Sequence, residues 1–458
     1  MTMAGELFAT NTRPVAPPVS GGGKLTLFLL ALVIVVIAEA IGNVSIPVGA
    51  GKIVLLPLLW ALLLGGALGL MSPRLPGPLR LSTALQNAAG AYLQPALLIF
   101  IAKLGLLVGG SLPKILASGW ALAFQEFGHF FGTMVFGLPV ALLLGIKREA
   151  IGATFSVGRE PSLAIIGERY GMDSPEGRGV LAEYLTGTVF GAVFIALLAG
   201  LITSLGIFNP LALAMGAGVG SGSMMAAASG AIAAQQTPEV AKDVATFAAA
   251  SNLVTTTIGT YFTLFLSLPF TIWAYGKLEP ILGRNRPDAA RPAAADPQAP
   301  AHQPAHEEVR IGLGETVLAW ILIGAYGLIG NWLTYGIVPD ASVVAGMAII
   351  IGTVLAGWGL YLLLGRRLPA VLWVSIIGMA LTYPGTPYAA EIAALTGKLN
   401  FLALATPILT FAGLSVAKDV PAFRRLGWRI VVVSFMANAG TFLGAALIAQ
   451  FFMHPPLG

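Results

Sequence analysis

GLLVGGSLPKILASGWALAFQEFGHFFGT, Gly105 to Thr133, returns 308 residues further along as GLSVAKDVPAFRRLGWRIVVVSFMANAGT, Gly413 to Thr441. Without gaps, Gly105, Leu106, Val108, Pro113, Gly119, Trp120, Phe127, Gly132 and Thr133 fall on Gly413, Leu414, Val416, Pro421, Gly427, Trp428, Phe435, Gly440 and Thr441. Apolar identities arise easily by chance, but a shared Pro and a shared Gly-Trp do not. Each copy joins two apolar runs through a short loop. The second loop holds Lys418, Asp419, Arg424 and Arg425, whereas the first holds only Lys114. Because Lys and Arg collect on the cytoplasmic side of a membrane, the copies are expected to face opposite ways. Inverted repeats of this kind build the two mirror-related access states of many secondary transporters.

Composition agrees with a membrane setting. Of the 458 residues 57% are hydrophobic and only 10% charged, and the mean hydropathy is +0.85; a soluble surface cannot be made from this mixture. The 57 glycines suit close helix packing and broken spans. With no cysteine, disulfides, thiolate metal sites and cysteine nucleophiles are excluded. A net charge of +5 spread over short loops reads as topology signal rather than as nucleic-acid binding.

A span needs about 20 apolar residues. Runs that satisfy this are Leu25 to Ile46, Ile53 to Met71, Leu85 to Gly109 and Ile115 to Gly145. Near the other end they are Val317 to Tyr335, Val343 to Gly365, Ala370 to Ala389, Asn400 to Ala417 and Ile430 to Phe452. The first run is long enough to span, which argues against a cleaved signal peptide. Basic residues Arg74, Arg80, Lys147, Arg148, Arg366 and Arg367 mark alternate loops. The chain is therefore expected in the cell inner membrane, with the N-terminus cytoplasmic and the C-terminus outside. Residues 1–23 read as a disordered tail, 24–149 as a first membrane repeat on the scaffold side and 150–279 as a central transport unit. Residues 280–310 read as a Pro/Ala-rich cytoplasmic linker and 311–458 as a second repeat. His302, His306, Glu307 and Glu308 lie in that linker, where a solvated tether is the better reading than a metal site.

The central unit contains a weaker repeat of its own. Ser156-Val157-Gly158-Arg159-Glu160-Pro161-Ser162, then Ser174-Pro175-Glu176 and an apolar run, is echoed by Gly218-Val219-Gly220-Ser221-Gly222-Ser223, then Thr237-Pro238-Glu239 and another run. Each unit is expected to be a re-entrant or broken segment followed by one full helix, which makes the two units inverted. The expected fold is an all-α polytopic membrane protein with eleven spans and two re-entrant segments, or thirteen spans as the alternative.

Irregular backbone at membrane depth survives only against protein or a water-filled cavity, so both loops are candidate substrate sites. Their free amides and the hydroxyls of Ser156, Ser162, Ser221 and Ser223 suit an anion, and Gly158, Gly218, Gly220 and Gly222 let it approach closely. Arg159 offers a planar fork to a carboxylate, and Glu160 can neutralise it or carry a proton. If the first loop lies just outside the bilayer, the Arg-Glu pair means little. Ser251, Asn252, Thr255 and Thr256 on one helix, with Glu183, Thr186 and Thr188 on the related one, present hard oxygens suited to a sodium ion; helix-to-helix hydrogen bonding is the alternative. Glu126 and His129 share a helix face and are a candidate proton relay, a structural pair or an oligomer contact. Glu39 and Lys103 need partners or must snorkel.

The segment Thr406-Pro407-Ile408-Leu409-Thr410-Phe411-Ala412-Gly413-Leu414-Ser415-Val416-Ala417-Lys418-Asp419, with the central Gly-Ser loop, resembles an uncharacterised bacterial membrane family, domain of unknown function 3100, over most of the chain outside the tail and linker. More distantly, the paired repeats and glycine-rich loops resemble the sodium/glutamate and 2-hydroxycarboxylate symporters. That resemblance implies a scaffold, a moving transport domain, homodimerisation and carboxylate substrates coupled to sodium. The citrate-carrier pattern has a GGxG motif in both loops, whereas here the first has Gly158 alone. The expected function is secondary active transport of a small organic anion, driven by sodium or protons, with no other cofactor and no nucleic-acid partner. A passive channel, a holin-like exporter and a membrane scaffold are the competing readings. An enzyme is not expected, since no HExxH or GxSxG motif and no nucleotide-binding motif is present.

Overall fold

The computed structural model describes residues 21–49, 51–75, 80–117, 120–157, 160–172, 174–284, 311–365, 368–420, 424 and 427–453. The described part of the chain opens with α1 (Gly21–Ile41), a hairpin of β1 (Val44–Val48) and β2 (Gly51–Leu55), then α2 (Pro57–Met71), α3 (Thr83–Ala117) and α4 (Ala121–Leu143). Helix α1 takes in residues 21–23, which the sequence assigned to the tail. The hairpin replaces the end of the first expected span and the start of the second. Its strands, VSIPV and GKIVL, are rich in β-branched residues and pair antiparallel from Val44↔Leu55 to Val48↔Gly51. The Lys52 amide ties it to the Ser204 hydroxyl at 2.9 Å.

The middle of the chain forms α5 (Glu149–Thr154), α6 (Glu160–Tyr170), α7 (Pro175–Thr186) and α8 (Ala192–Ser204), the last two fused by a π turn at Gly187–Gly191. Then come α9 (Pro210–Gly218), α10 (Gly222–Ala233), α11 (Pro238–Phe262) and α12 (Leu268–Leu282), with a π turn at Thr263–Ser267 between α11 and α12. The repeated Ser-Pro-Glu and Thr-Pro-Glu are helix starts. Ser174 accepts from the Gly177 amide at 2.9 Å with Pro175 in the first turn, and Pro238 opens α11 behind Thr237. Past the linker lie α13 (Leu313–Tyr335), α14 (Ala341–Leu363), α15 (Ala370–Thr382), α16 (Ala389–Gly397), α17 (Phe401–Val416) and α18 (Trp428–Phe452). The linker histidines and glutamates lie outside the described residues.

Among the described residues, seven helices are long and apolar enough to cross a membrane, or up to nine if the bent pairs α11–α12 and α16–α17 each count as one. Large apolar side chains such as Leu25, Leu29, Phe265, Trp273, Leu363 and Phe451 face outward, as a lipid environment requires. The protein is a multi-pass helical membrane protein.

Helix α4 packs along α18, α2 along α17 and α3 along α15. At the first contact Gly128 and Gly132 face Gly444 and Gly440, two GxxxG pairs, and a Cβ on Gly132 would run into the Gly440 carbonyl and the reverse. Such small-residue crossings let backbones touch in lipid. The Thr133 and Thr441 hydroxyls are hydrogen-bonded at the same place. Ion pairs mark the two ends of the bundle. Lys114 at the end of α3 meets Asp243 at the start of α11 at 2.5 Å. At the opposite end of α4, Lys147 meets Glu279 at 2.7 Å, Arg148 meets Glu176 at 2.5 Å and Arg178 meets Glu149 at 2.9 Å. Helix α7 therefore starts at the Lys147 end, and α11 starts at the Lys114 end.

Candidate functional site

The two central units are interrupted helices. Helix α5 stops at Thr154 and α6 begins at Glu160; α9 stops at Gly218 and α10 begins at Gly222. An interrupted helix leaves carbonyls without intrahelical partners, and the α11–α12 region supplies them. The Ser251 hydroxyl donates to the Met215 carbonyl at 2.7 Å, and the Asn252 side-chain amide donates to the carbonyls of Gly218 and Gly220 at 2.7 and 3.1 Å. Ser267, closing the π turn, donates to the Phe155 carbonyl of the other interruption. Gly218 has to be glycine here, since a Cβ would strike the Ala248 carbonyl and the Ser251 side chain. Ser221 caps α10 by accepting from the Met224 amide at 3.3 Å, and lies 3.2 Å from the Ser223 hydroxyl.

Both interruptions open on one cavity of about 400 Å³. Ser156, Pro161 and Ser162 line it from the first, and Ser221, Gly222 and Ser223 from the second. Asn252, Thr255 and Thr256 of α11 form a third wall, with His129 of α4 beside them, while α3 adds Leu93, Gln94, Leu97 and Ile101. The starts of α6 and α10 both lie at the cavity, so the positive ends of two helix dipoles converge on it. None of the described lining residues is Asp, Glu, Lys or Arg. What the walls offer is hydroxyls, amides and one imidazole, a polar chamber in an apolar bundle that fits a small hydrogen-bonding solute.

A family model matches residues 36–277, from the later part of α1 to α12, and covers more than half of the chain. The chain belongs to the family described as protein of unknown function (DUF3100). The match contains both interrupted helices and the α11 wall. It stops short of Thr406 to Asp419, the segment whose sequence first carried the resemblance. No curated protein and no solved structure matches this DUF3100 chain.

The residues singled out in the sequence divide by position in this DUF3100 fold. Ser156, Ser162, Ser221, Gly222, Ser223, Asn252, Thr255, Thr256 and His129 come together at the cavity. Gly158 and Arg159 lie outside the described residues, as does the side chain of Glu160. Gly218 and Gly220 sit behind the wall, their carbonyls engaged by Asn252. Ser251 is likewise committed to the backbone of α9.

Glu183, Thr186 and Thr188 of the related helix are away from the cavity. Glu183 accepts from Asn438 on α18 at 3.4 Å, Thr186 and Thr188 donate back to their own helix at 2.8 Å, and Thr188 is exposed. Glu126 is 0% and His129 2% exposed, so the pair lies inside the chain rather than on a face open to another copy. Lys103 and Glu39 are also buried and do not snorkel. The Lys103 ammonium donates to the Thr396 carbonyl at the end of α16 at 2.6 Å, and Glu39 accepts from the Thr334 hydroxyl. Gln94 was not anticipated. One polar residue among several in a long, mostly apolar run, beside Gln86, Asn87 and Lys103, gives no signal until α3 is seen to face the interruptions.

Proposed function

We propose that this protein is a secondary active transporter that holds a small organic anion in the cavity between its two interrupted helices and exposes it alternately on the two sides of the membrane. The observation that carries this reading is the meeting of both interruptions, from separate parts of the chain, at one polar cavity of about 400 Å³. Helix starts and hydroxyls around it suit an anionic group, and a carboxylate or amino acid fits the volume. Coupling to sodium or protons supplies the driving force, and no residue is assigned a catalytic role.

Two features support alternating access. The repeat offset of 308 carries α3 onto the region of α17 and α4 onto α18, and the pair Thr133–Thr441 is separated by that same 308. Exchanging the two halves then turns the α4–α18 contact into itself, as an inverted repeat about an in-plane axis requires. The central units follow suit, since α7 and α11 start at opposite ends of the bundle. On this reading the short helices α2 and α15, of 15 and 13 residues, also traverse the membrane, which gives eleven crossings. The Lys147 end is then cytoplasmic, and the proposal includes a homodimer in the inner membrane. A channel or exporter would need continuous pore lining rather than a chamber between helix breaks.

The test is a thermal-shift screen of purified protein against small carboxylates and amino acids, with and without sodium. A ligand that binds only the folded state stabilises it by about 2.7 kcal/mol at a hundred times its Kd. We expect stabilisation by one carboxylate class, lost in a Ser162→Ala/Ser221→Ala double variant that still melts cooperatively. The absence of any stabilising ligand, together with no saturable uptake into vesicles, would overturn the reading.

A further inference from the structure

We propose that Glu126 and His129 form a proton-binding site that exchanges with the cavity, and that Thr255 reports its occupancy to α11. Its use as the coupling site rests on the transport reading; its existence does not. The carboxyl is enclosed by α4 and α11. Its Oε1 accepts from the Gln125 side-chain amide at 2.9 Å and contacts the Thr255 hydroxyl, while Oε2 faces His129 Nδ1 at 3.4 Å. Glu126 itself does not line the cavity, but His129 and Thr255 both do.

A count of hydrogens gives this site two satisfied states. The Thr255 oxygen lies 3.0 Å from the Ser251 carbonyl as well as against Glu126, and a hydroxyl has one hydrogen to donate. With Glu126 ionised, that hydrogen goes to the carboxylate. With Glu126 protonated, the carboxyl donates to the Thr255 oxygen and the hydroxyl turns to the Ser251 carbonyl. Heavy-atom positions are the same in both states, and what differs is whether Thr255 donates to the carboxylate or to its own helix at the Ser251 carbonyl. Thr255 lies one turn from Asn252, which holds the Gly218 and Gly220 carbonyls, so the change is felt on the helix that holds the second interruption in place.

His129 is the route in. Its Nε2 is buried and has no partner among the described residues, and His129 is a lining residue of the cavity. A proton arriving from the cavity binds Nε2, the Nδ1 proton passes to Oε2 of the Glu126 carboxylate, and a half-turn of the carboxyl exchanges its two oxygens and brings that proton to Thr255. The ring is left neutral in its other tautomer. Charged groups on the elements packed against α4 sit at the ends of those elements: Arg429 on α18, Glu239, Lys242 and Asp243 on α11, Lys277 and Glu279 on α12, and Glu149 on α5. With Asp243 twelve residues from Thr255, the separation along the helix is about 18 Å. Tyr261 on α11 is 64% exposed and Tyr275 on α12 packs in clusters away from Glu126, whereas His129 contacts this carboxyl directly, and an unpaired buried carboxylate is costly in a membrane.

The experiment is an acid-minus-alkaline infrared difference spectrum of the purified full-length protein, read at the carbonyl stretch of a protonated carboxylic acid. Against the bands of the chain's other carboxylic acids, we expect one component, present in wild type and in Glu39→Gln, to be missing from Glu126→Gln and to shift in Thr255→Val because the carboxyl has lost its acceptor. A Glu126→Gln spectrum identical to that of wild type overturns the proposal. Should Glu126→Gln not fold, a band unmoved in both Thr255→Val and His129→Asn overturns it instead. No substrate enters this measurement, so a negative result leaves the transport reading standing, and a failed ligand screen leaves the proton site standing.

Discussion

Asn252 carries two groups with different capacities, a side-chain oxygen and a side-chain nitrogen. Read as one of a cluster of hard oxygens, it is a sodium ligand through its carbonyl oxygen. In the fold its amide nitrogen points at two carbonyls of the second interruption, 2.7 and 3.1 Å away, and so latches that interruption to α11. Asn252→Ala should lower stability by about 1–3 kcal/mol, the usual cost of leaving a buried acceptor unsatisfied. Asn252→Asp should be worse, because it sets a carboxylate against two carbonyl oxygens. Melting curves of both variants with and without sodium check this. Sodium that restores Asn252→Asp to wild-type stability would reinstate the cation site and remove the latch.

Among elements, the α4–α18 crossing is where a single methyl group should cost most. Gly132 and Gly440 present each other's carbonyls at positions a Cβ would need, so Gly132→Ala has to push backbone from backbone rather than rotate a side chain. We expect it to lose about 3 kcal/mol, the upper end of ordinary overpacking. Gly66→Ala on α2, with nothing within 4 Å of the new methyl, should be neutral or gain about 0.5–1 kcal/mol from helix entropy. Equal effects of the two substitutions on the melting temperature would refute the close crossing.

The sequence made this contact legible as a repeat, since Gly132 and Thr133 match Gly440 and Thr441. It also made the helix starts legible, because a cap followed by Pro is a local signal. The hairpin at Val44 to Leu55 was not legible as strand. Its β-branched residues extend the apolar runs on both sides. Nor could the sequence decide that Ser251 and Asn252 serve the backbone of α9 while Thr255 serves Glu126. Those roles depend on which helix lies opposite, and residues of the same type one turn apart look alike until it is known.

For the whole molecule, the ion pairs and the crossings agree on one arrangement of directions. Helix α4 runs from the Lys114 end to the Lys147 end, α11 and α12 run the same way, and α7 and α18 run against them. If Lys147, Arg148, Arg178 and Arg284 mark the cytoplasmic end, then Arg284 is inside and the α13–α14 connection around Val338 is outside. The chain has no cysteine, so single cysteines can be placed without background. In intact cells an impermeant thiol reagent should label Val338→Cys, which is 62% exposed, and should reach Arg284→Cys only after the membrane is opened. The reverse pattern would turn the whole bundle over while leaving its internal relations intact. Labelling of both sites in intact cells would instead break the single-pass assignment of α13, and with it the odd number of crossings that an inverted pair of halves joined by this linker requires.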